Sequence, residues 1–310
     1  MITLDHVSKR YGSVHALRDV TLTVERGKTV GLLGRNGAGK TTALNLMTGL
    51  FPPDAGRVIV DGEDMMKNGR ACKRKIGYLP EYPPLYDEMT VRDYLRFASD
   101  LKEVDGRDRE RHVKEILGLC GLEEVADRVI GHLSKGYRQR TGIAQALCGQ
   151  PEALILDEPT VGLDPKQVVE IRDLIRQLGE HRTILFSSHI LSEVQQMCQV
   201  VLILHEGRLI RDFRLDGEET DDLRLRLRVL GREGEVLSAL RSLGCVKKVE
   251  RREASAPGEA ACQLTCRKQD ERGRVEDQIF RLMCAMDTPI REMAPVRNDL
   301  EKVFLEATEG

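Results

Sequence analysis

Eight residues near the start of the sequence restrict the fold more than any other segment. They read Gly-Arg-Asn-Gly-Ala-Gly-Lys-Thr at positions 34–41 and fit the pattern G-x-x-x-x-G-K-[ST]. The apolar run at 29–33 predicts a strand that enters this segment, and residues 40 to about 48 predict a helix that leaves it. A glycine-rich loop between a strand and a helix turns backbone N–H groups toward one anion. The pattern therefore predicts a phosphate-binding loop for a nucleoside triphosphate.

Two side chains of this loop have distinct expected roles. Lys40 is expected to reach the β- and γ-phosphates, and the hydroxyl of Thr41 is expected to ligate Mg²⁺. The predicted nucleotide-binding residues of the loop are Gly34, Arg35, Asn36, Gly37, Ala38, Gly39, Lys40, Thr41 and Thr42. A glycine-rich turn without a ligand is the alternative, and the strand and helix on either side argue against it.

A second motif is the pair of acids that follows the apolar run at 153–156. Because a parallel strand exposes its C-terminal end at the ligand crevice, Asp157 is expected to hold Mg²⁺, directly or through water. The adjacent Glu158 points elsewhere and is expected to accept a proton from an attacking water molecule. Such a pair by itself is more typical of a solvated surface, and the upstream loop is what favours the catalytic interpretation.

Composition and charge exclude several classes of protein. The 48 basic and 50 acidic residues nearly cancel, so the chain lacks the broad basic field that marks nucleic-acid binding. No apolar run approaches the roughly 20 residues of a membrane-spanning helix. The N-terminus has neither the basic start nor the apolar core of a signal peptide. We therefore expect a cytoplasmic protein with no nucleic-acid partner, and eight scattered cysteines that are reduced.

The alternation of apolar runs and helical stretches over residues 1–215 indicates an α/β domain. Strands that are apolar on both faces predict a mostly parallel core sheet covered by helices on both sides. Residues 2–24 predict a small antiparallel sheet, and residues from about 89 to 150 read as mainly helical. Further apolar runs lie at 153–156, 182–186 and 200–204.

A second domain is expected at 222–310, after the acidic, turn-rich segment 216–222. Its apolar patterns predict the order βαββαβ, which suggests an α+β, ferredoxin-like split fold, with a last helix at 300–307. Four interpretations of this domain stay open: it strengthens a dimer, restrains opening, binds a regulator, or is a structural appendage.

A third motif lies between the glycine-rich loop and the pair of acids, where residues 133–140 read Leu-Ser-Lys-Gly-Tyr-Arg-Gln-Arg. In this order the motifs resemble those of the ATP-binding cassette (ABC) family of P-loop NTPases, which carries an L-S-G-G-Q-type signature here. The signature residues are Leu133, Ser134, Lys135, Gly136 and Tyr137. At a helix N-terminus, Ser134 and the backbone of Gly136 are able to hydrogen-bond a phosphate. The resemblance covers residues 1 to about 215.

The resemblance implies partners as well as a ligand. In the family, each ATP lies between the glycine-rich loop of one subunit and the signature of the other, so we expect a homodimer or a dimer with a paralogous cassette. It also implies an integral membrane permease as partner and a peripheral position on the inner face of the cell membrane. The implied activity is hydrolysis of ATP coupled to transport.

Further positions match elements of the family. Tyr11 sits where the family places an aromatic ring against adenine, although a lone tyrosine near a strand is often core or surface. Glu81 holds the position of a glutamine that senses γ-phosphate and Mg²⁺, and His189 matches a histidine that touches γ-phosphate. A histidine at a strand end is otherwise most often structural. The loop expected at the dimer interface contains Gly162, Leu163 and Asp164.

Three residues depart from the family pattern without removing a catalytic group. Glu81 replaces an amide with an acid, Lys135 replaces a glycine, and Tyr137 replaces a glutamine. With the tail segment 299–306, these features are similar to the ABC-2 export group, which includes drug-export and gliding-motility-type subunits.

Two other functions compete with transport. A soluble cassette ATPase acting on another machine usually has two cassettes or a coiled-coil insertion, whereas this chain has one cassette and no sustained heptads. A nucleotide sensor without catalysis is the third, and it has no need of Glu158 and His189. The transported molecule is not encoded in the motifs.

Overall fold

The computed structural model describes residues 1–215, 222–252, 256, 258–267, 272–295 and 304. The chain divides into two compact units, Met1–Asp216 with Phe304–Gly310, and Gly217–Val303. Within these described ranges, none of the helices combines the length and the hydrophobicity that a membrane-spanning segment requires. The predicted last helix at 300–307 lies outside the described residues except for position 304. The same holds for the segment 299–306, which resembles the tail of the ABC-2 export group.

The first unit alternates strands and helices along the chain. In order these are β1 Ile2–Tyr11, β2 Val14–Val24, β3 Thr29–Leu33, α1 Lys40–Met47, β4 Ala55–Val60, β5 Glu63–Asp64, α2 Gly69–Arg74, β6 Ile76–Leu79, α3 Val91–Leu101, α4 Arg109–Leu119, α5 Lys135–Leu147, β7 Ala153–Leu156, α6 Pro165–Gly179, β8 Thr183–Ser188, α7 Leu191–Met197, β9 Val200–His205 and β10 Arg208–Arg214. Two 3-10 turns, Glu123–Val125 and Ile130–His132, precede α5.

The core of this unit is a six-stranded sheet with the order β10-β9-β3-β8-β7-β6. All neighbours are parallel except β10, which returns antiparallel to β9. Every residue of β3, β7 and β8 is buried, as expected for strands covered on both faces. The mostly parallel sheet predicted from the apolar runs is confirmed, and it places the C-terminal ends of β3, β8, β7 and β6 side by side.

A second sheet of the first unit is antiparallel, with the order β2-β1-β4-β5. The sequence predicted its first two strands but not β4 and β5, because β4 begins with three exposed residues and carries little apolar alternation. Its inner face packs on α1 and the core sheet through buried aliphatic side chains such as Leu4, Leu44 and Met47. This packing fixes the start of α1, and so the glycine-rich loop before it.

The region between residues 89 and 150 is mainly helical, as predicted. The side chain of Thr90 accepts a hydrogen bond from the backbone N–H of Asp93 and caps α3. Ser134 caps α5 in the same way by accepting from Tyr137 N. The signature therefore begins a helix, as the sequence indicated.

The second unit has the predicted order of elements. They are β11 Asp222–Leu230, α8 Glu233–Arg241, β12 Val246–Arg252, β13 Glu259–Arg267, α9 Arg272–Ala285 and β14 Ile290–Pro295. Its sheet is antiparallel, with the order β12-β13-β11-β14. Alternate residues of β11, such as Leu225 and Leu227, join a core with Leu240 and Ile279 from the two helices. Cys262 and Cys266 lie buried in this core as reduced cysteines. The predicted turn at 255–258 lies partly outside the described residues.

The contact between β6 and α5 predicts a position that tolerates only glycine. A Cβ atom at Gly77 would lie 1.9 Å from the backbone oxygen of Ala146 in α5. We expect Gly77→Ala to lower the free energy of unfolding of the first unit by at least ~2 kcal/mol, because the helix has to shift off the sheet. Gly69→Ala in α2 is the matched control and should be neutral or slightly stabilising, because an added Cβ atom there would meet no neighbouring atom of the described residues within 4 Å. Denaturant unfolding measures both, and equal stability of the two variants would contradict the assigned packing.

Candidate nucleotide-binding site

The glycine-rich loop connects β3 to α1 at the C-terminal edge of the core sheet. Gly37 and Gly39 have φ of 81° and 104°, values that glycine adopts without strain. A Cβ atom on Gly39 would also lie 2.5 Å from the backbone oxygen of Ala16. No side chain caps the N-terminus of α1, so the first N–H groups of this helix face the loop. The loop has the backbone form expected of a phosphate cradle.

Lys40 lies buried beneath this loop. Its Nζ donates hydrogen bonds to the backbone oxygens of Gly34 at 2.8 Å and Arg35 at 3.4 Å. The same ammonium is 3.2 Å from Oε1 of Glu158. The cation therefore links the loop to the acid that follows β7.

Glu158 is held at both of its carboxylate oxygens. Oε1 faces Lys40, and Oε2 lies 2.9 Å from Nδ1 of His189. The residue has a φ of 46°, in the left-handed region that non-glycine residues seldom occupy. Its backbone N–H donates to the hydroxyl of Ser187 at 2.9 Å, which fixes this conformation. The buried carboxylate thus lies between a lysine and a partly exposed histidine.

Asp157 is a buried acid with one oxygen left for a ligand. Its side chain is only 1% exposed, and Oδ1 accepts a hydrogen bond from Ser187 at 2.6 Å. Oδ2 is buried and has no hydrogen-bond partner among the described residues. Burial raises the pKa of Asp157, the hydroxyls of Ser187 and Thr41 oppose the rise, and the charges of Glu158 and Glu81 add to it. An unpartnered carboxylate oxygen beside a hydroxyl and a second acid fits the oxygen ligands that Mg²⁺ prefers.

Lys40, Glu158 and His189 open on a pocket of about 430 Å³, whereas Asp157 lines a neighbouring groove that shares Thr41 and Glu81 with this pocket. It is lined by residues 14–16, by most of the segment 35–42, and by Glu81, Glu158, Val161 and His189. Segments far apart in the sequence therefore meet because β3, β8, β7 and β6 are neighbours. Lys40 and Thr41 share this pocket with Glu81, Glu158 and His189, three residues that were predicted from separate motifs.

Tyr11 is one predicted site residue that does not line the pocket. It ends β1 with 45% of its surface exposed, and the ammonium of Lys9 lies 5.8 Å from its ring centroid. Its ring is free to stack on a flat partner, and contact with adenine stays a prediction.

The signature residues form a second group outside the pocket. None of residues 133–137, all of which are described, lines it. Ser134 and Lys135 are exposed to solvent instead. A Cβ atom on Gly162 would meet the ammonium of Lys135 at 2.1 Å, so the lysine side chain lies against the loop 162–164 of its own chain. Asp164 in this loop caps α6 by accepting from Gln167 N at 2.9 Å.

Several residues of the site were missed by the sequence analysis. Ser187 bonds both acids, His15 lines the pocket, and Gln139 in α5 donates to the backbone oxygen of Pro159 at 2.8 Å. The buried acid Glu193 in α7, which lies outside the pocket, was also missed. The serine pair that ends β8 was the one available signal, since polar residues at the end of a buried strand point to a crevice.

The raised pKa of Asp157 predicts a stability gain on neutralisation. Its ordinary value is 3.8, and a raised value means that the ionised form costs stability at neutral pH. We expect Asp157→Asn to raise the free energy of unfolding by on the order of 1 kcal/mol at pH 8. The gain should shrink at pH 5, because protonation of Asp157 in the parent protein removes the same cost as the pH falls. Thermal unfolding at both pH values measures this, and a loss of stability at pH 8 would refute it.

Comparisons with known proteins agree with this geometry. The family model described as ABC transporter matches residues 17–161. The chain is 39% identical to the bacitracin transport ATP-binding protein BcrA of Bacillus licheniformis over 218 residues, 70% of each chain. It is 39% identical to the ABC transporter ATP-binding protein NatA of Bacillus subtilis over 233 residues, 72% of this chain and 95% of that one.

A solved structure gives the same result for the fold. The dimeric post-hydrolysis structure of an ATP-binding cassette bound to ADP and phosphate matches with a TM-score of 0.64 and 27% identity, over 70% of this chain and all of that one. The chain therefore belongs to the ABC transporter family, as an ATP-binding subunit that hydrolyses ATP to drive transport.

Proposed function

We propose that this subunit works as a head-to-tail dimer that energises export through a separate integral membrane permease. The observation that carries the catalytic part is the contact of Glu158 with Lys40 on one side and His189 on the other. Together with the glycine-rich loop, this cluster has a phosphate-binding cation, a base and a hydrogen-bonding group in one pocket. The resemblance to transport subunits supports the coupling to a permease.

The chemistry follows from these positions. The loop N–H groups and Lys40 bind the phosphates, which draws the ammonium away from Glu158. Glu158 then accepts a proton from the water molecule that attacks the γ-phosphate. The imidazole of His189 holds the carboxylate in place and contacts the γ-phosphate. Most of the rate gain comes from positioning and charge rather than from a covalent intermediate.

Mg²⁺ fits the oxygens that surround the phosphate cradle. The hydroxyl of Thr41, the free Oδ2 of Asp157 and the carboxylate of Glu81 are the groups proposed to hold it. The ion supplies charge neutralisation on the β- and γ-phosphates when it is bound. As an acid in place of an amide, Glu81 adds a negative charge that Mg²⁺ offsets.

The dimer is supported by the position of the signature. Ser134 and Lys135 are exposed and lie outside the pocket of their own chain, while the N-terminus of α5 has the form of an anion site. A second chain that places this helix start over the pocket would complete the phosphate contacts. The solved cassette with ADP and phosphate is itself dimeric. A homodimer or a pair with a paralogous cassette satisfies this geometry equally.

The permease is proposed to dock in a groove next to the nucleotide pocket. This groove of about 600 Å³ has a mixed lining of charged residues, such as Lys73 and Asp157, and of apolar side chains that include Leu50 and Tyr82, which are 58% and 82% exposed. Large exposed apolar side chains around one groove are typical of a protein-binding surface. Glu81 lines both the groove and the nucleotide pocket, so a docked helix would sense the bound nucleotide. This arrangement would place the subunit on the inner face of the membrane. The similarity to BcrA, a bacitracin transport ATP-binding protein, supports transport through the docked permease.

The C-terminal unit, proposed as a domain at 222–310, is assigned a ferredoxin-like split fold. Its order βαββαβ and its antiparallel strand order β12-β13-β11-β14 support this assignment. Both helices contribute to one core on one face of the sheet. Residues on the other face, such as Arg228 and Glu259, pair with each other.

The role of Glu158 predicts a slow variant that still binds nucleotide. We expect Glu158→Gln to hydrolyse ATP at least ~100-fold more slowly, because the amide accepts no proton. ATP binding should persist, and the variant should accumulate as a dimer with ATP and Mg²⁺ in size-exclusion chromatography with light scattering. Glu124→Gln, at an exposed acid, is the matched control and should keep full turnover.

Two results would contradict this part of the proposal. Turnover of Glu158→Gln within a few-fold of the parent protein would exclude Glu158 as the base. A monomer at all ATP concentrations, with full activity at high dilution, would exclude the shared nucleotide site.

The groove predicts a surface variant defective in membrane attachment. We expect Leu50→Asp to lower the amount of subunit that co-sediments with permease-containing membranes at least ~10-fold, because docking would desolvate the new carboxylate. The basal ATPase rate of the isolated chain should stay within about twofold, since Leu50 touches no reacting group. Leu119→Asp, at another exposed leucine, is the matched control. Equal co-sedimentation of the two variants would place the permease elsewhere.

A further inference from the structure

A buried carboxylate outside the nucleotide pocket has no part in the chemistry described above. Glu193 lies in α7 and is only 5% exposed. Its Oε2 accepts two hydrogen bonds of 2.9 Å, from the hydroxyls of Thr160 and Ser188. Burying an ionised carboxylate is costly, and both of these bonds come from neutral hydroxyls. The two hydrogen bonds offset part of this cost and hold the Glu193 side chain in one position.

The two hydroxyls belong to the segments that carry the reacting groups. Thr160 follows Glu158 by two residues and begins the turn that leads to the loop 162–164. Ser188 directly precedes His189, and its Oγ also accepts the N–H of Ile190 at 3.0 Å. Oε2 of Glu193 therefore connects Thr160, which follows the base Glu158, to Ser188, which is bonded to the residue after His189.

The neighbouring serine makes the complementary connection. Ser187 bonds Asp157 and the N–H of Glu158, whereas Ser188 bonds Glu193. Consecutive residues of a strand point to opposite faces of the sheet. The end of β8 therefore bonds Asp157 and Glu158 on one face and Glu193 of α7 on the other. Gln139 of the signature helix also holds the oxygen of Pro159. The segment 159–160 is thus clamped between α5 and α7.

We propose that Glu193 is a positioning residue that couples the loop 162–164 to the contact between Glu158 and His189. The inference rests on the proposed dimer, in which this loop faces the partner chain. A shift of the loop as the dimer closes moves Thr160, and the two hydrogen bonds at Glu193 carry this movement to Ser188 and His189. The state of the second nucleotide site then sets the geometry of hydrolysis in the first.

Substitutions at Glu193 separate this role from simple packing. Alanine leaves two buried hydroxyls without their acceptor. Glutamine retains an oxygen that is able to accept both bonds, and it removes the charge. Aspartate keeps the charge but is one methylene shorter, so its oxygen falls short of the two hydroxyls. If the position of the acceptor oxygen matters rather than its charge, the glutamine variant should hydrolyse ATP faster than the aspartate and alanine variants.

The test is steady-state ATP hydrolysis by the full-length chain with Mg²⁺. We expect Glu193→Ala and Glu193→Asp to lower kcat ~10-fold or more, with KM for ATP within about twofold and a Hill coefficient for ATP that falls toward one. Glu193→Gln should recover most of kcat and the cooperativity. Gln195→Ala, at an exposed position of the same helix, is the matched control and should behave as the parent protein.

A second measurement keeps the proposal testable if alanine weakens the fold. Combining Thr160→Val with Glu193→Asp should lower kcat by much less than the product of the two single effects, because the clamp is already broken at one end. Unchanged kcat and Hill coefficient in Glu193→Ala would overturn the proposal. So would a parallel loss of ATP binding and stability in which Glu193→Gln is no better than Glu193→Ala.

Failure of this inference is distinct from failure of the proposed function. If the parent chain hydrolyses ATP cooperatively and Glu158→Gln dimerises, an unaffected Glu193→Ala overturns only the coupling role. If the parent chain shows no cooperativity and no ATP-dependent dimer, the shared nucleotide site is overturned, and the coupling role with it.

Discussion

The contact of Glu158 with Lys40 and His189 is the interaction on which the rest of the site depends. Each of the three groups follows a different strand of the core sheet, and their side chains meet only because β3, β8 and β7 are adjacent and parallel. A buried carboxylate is tolerable at this point because a cation and an imidazole share its charge. The sheet order therefore determines whether these three side chains meet in one pocket.

The neighbouring acid, Asp157, lowers the stability of the fold in return for a position suited to a ligand. Asp157 is buried beside Glu158, and desolvation raises its pKa even though Ser187 donates to one of its oxygens. A fold selected for stability alone would not retain an unpartnered carboxylate oxygen in this position. An oxygen reserved for a metal ion on the nucleotide would account for this cost. The signature helix, in contrast, begins with Ser134 exposed to solvent and outside the nucleotide pocket.

Much of the fold was predictable from local patterns. Buried strands such as β3 and β7 are short apolar runs that stop at glycine or at acids, and the caps Thr90 and Ser134 mark their helices directly. The strand β4 escaped prediction because its ladder partner β1 lies about 50 residues earlier and its first half is exposed. The end of β8 was also placed two residues too early, since polar Ser187 and Ser188 look like loop residues until their buried partners are known.

The sequence by itself determined the glycine-rich loop, the pair of acids and the helix start of the signature, because each depends on residue types within one short segment. Only the tertiary structure decided which of these groups share a pocket and which face away from it. It alone joined Glu193 to Thr160 and Ser188, residues up to 33 positions apart. The physical reason is that a hydrogen bond requires atoms within about 3 Å, and for distant segments the order of strands in the sheet sets that distance.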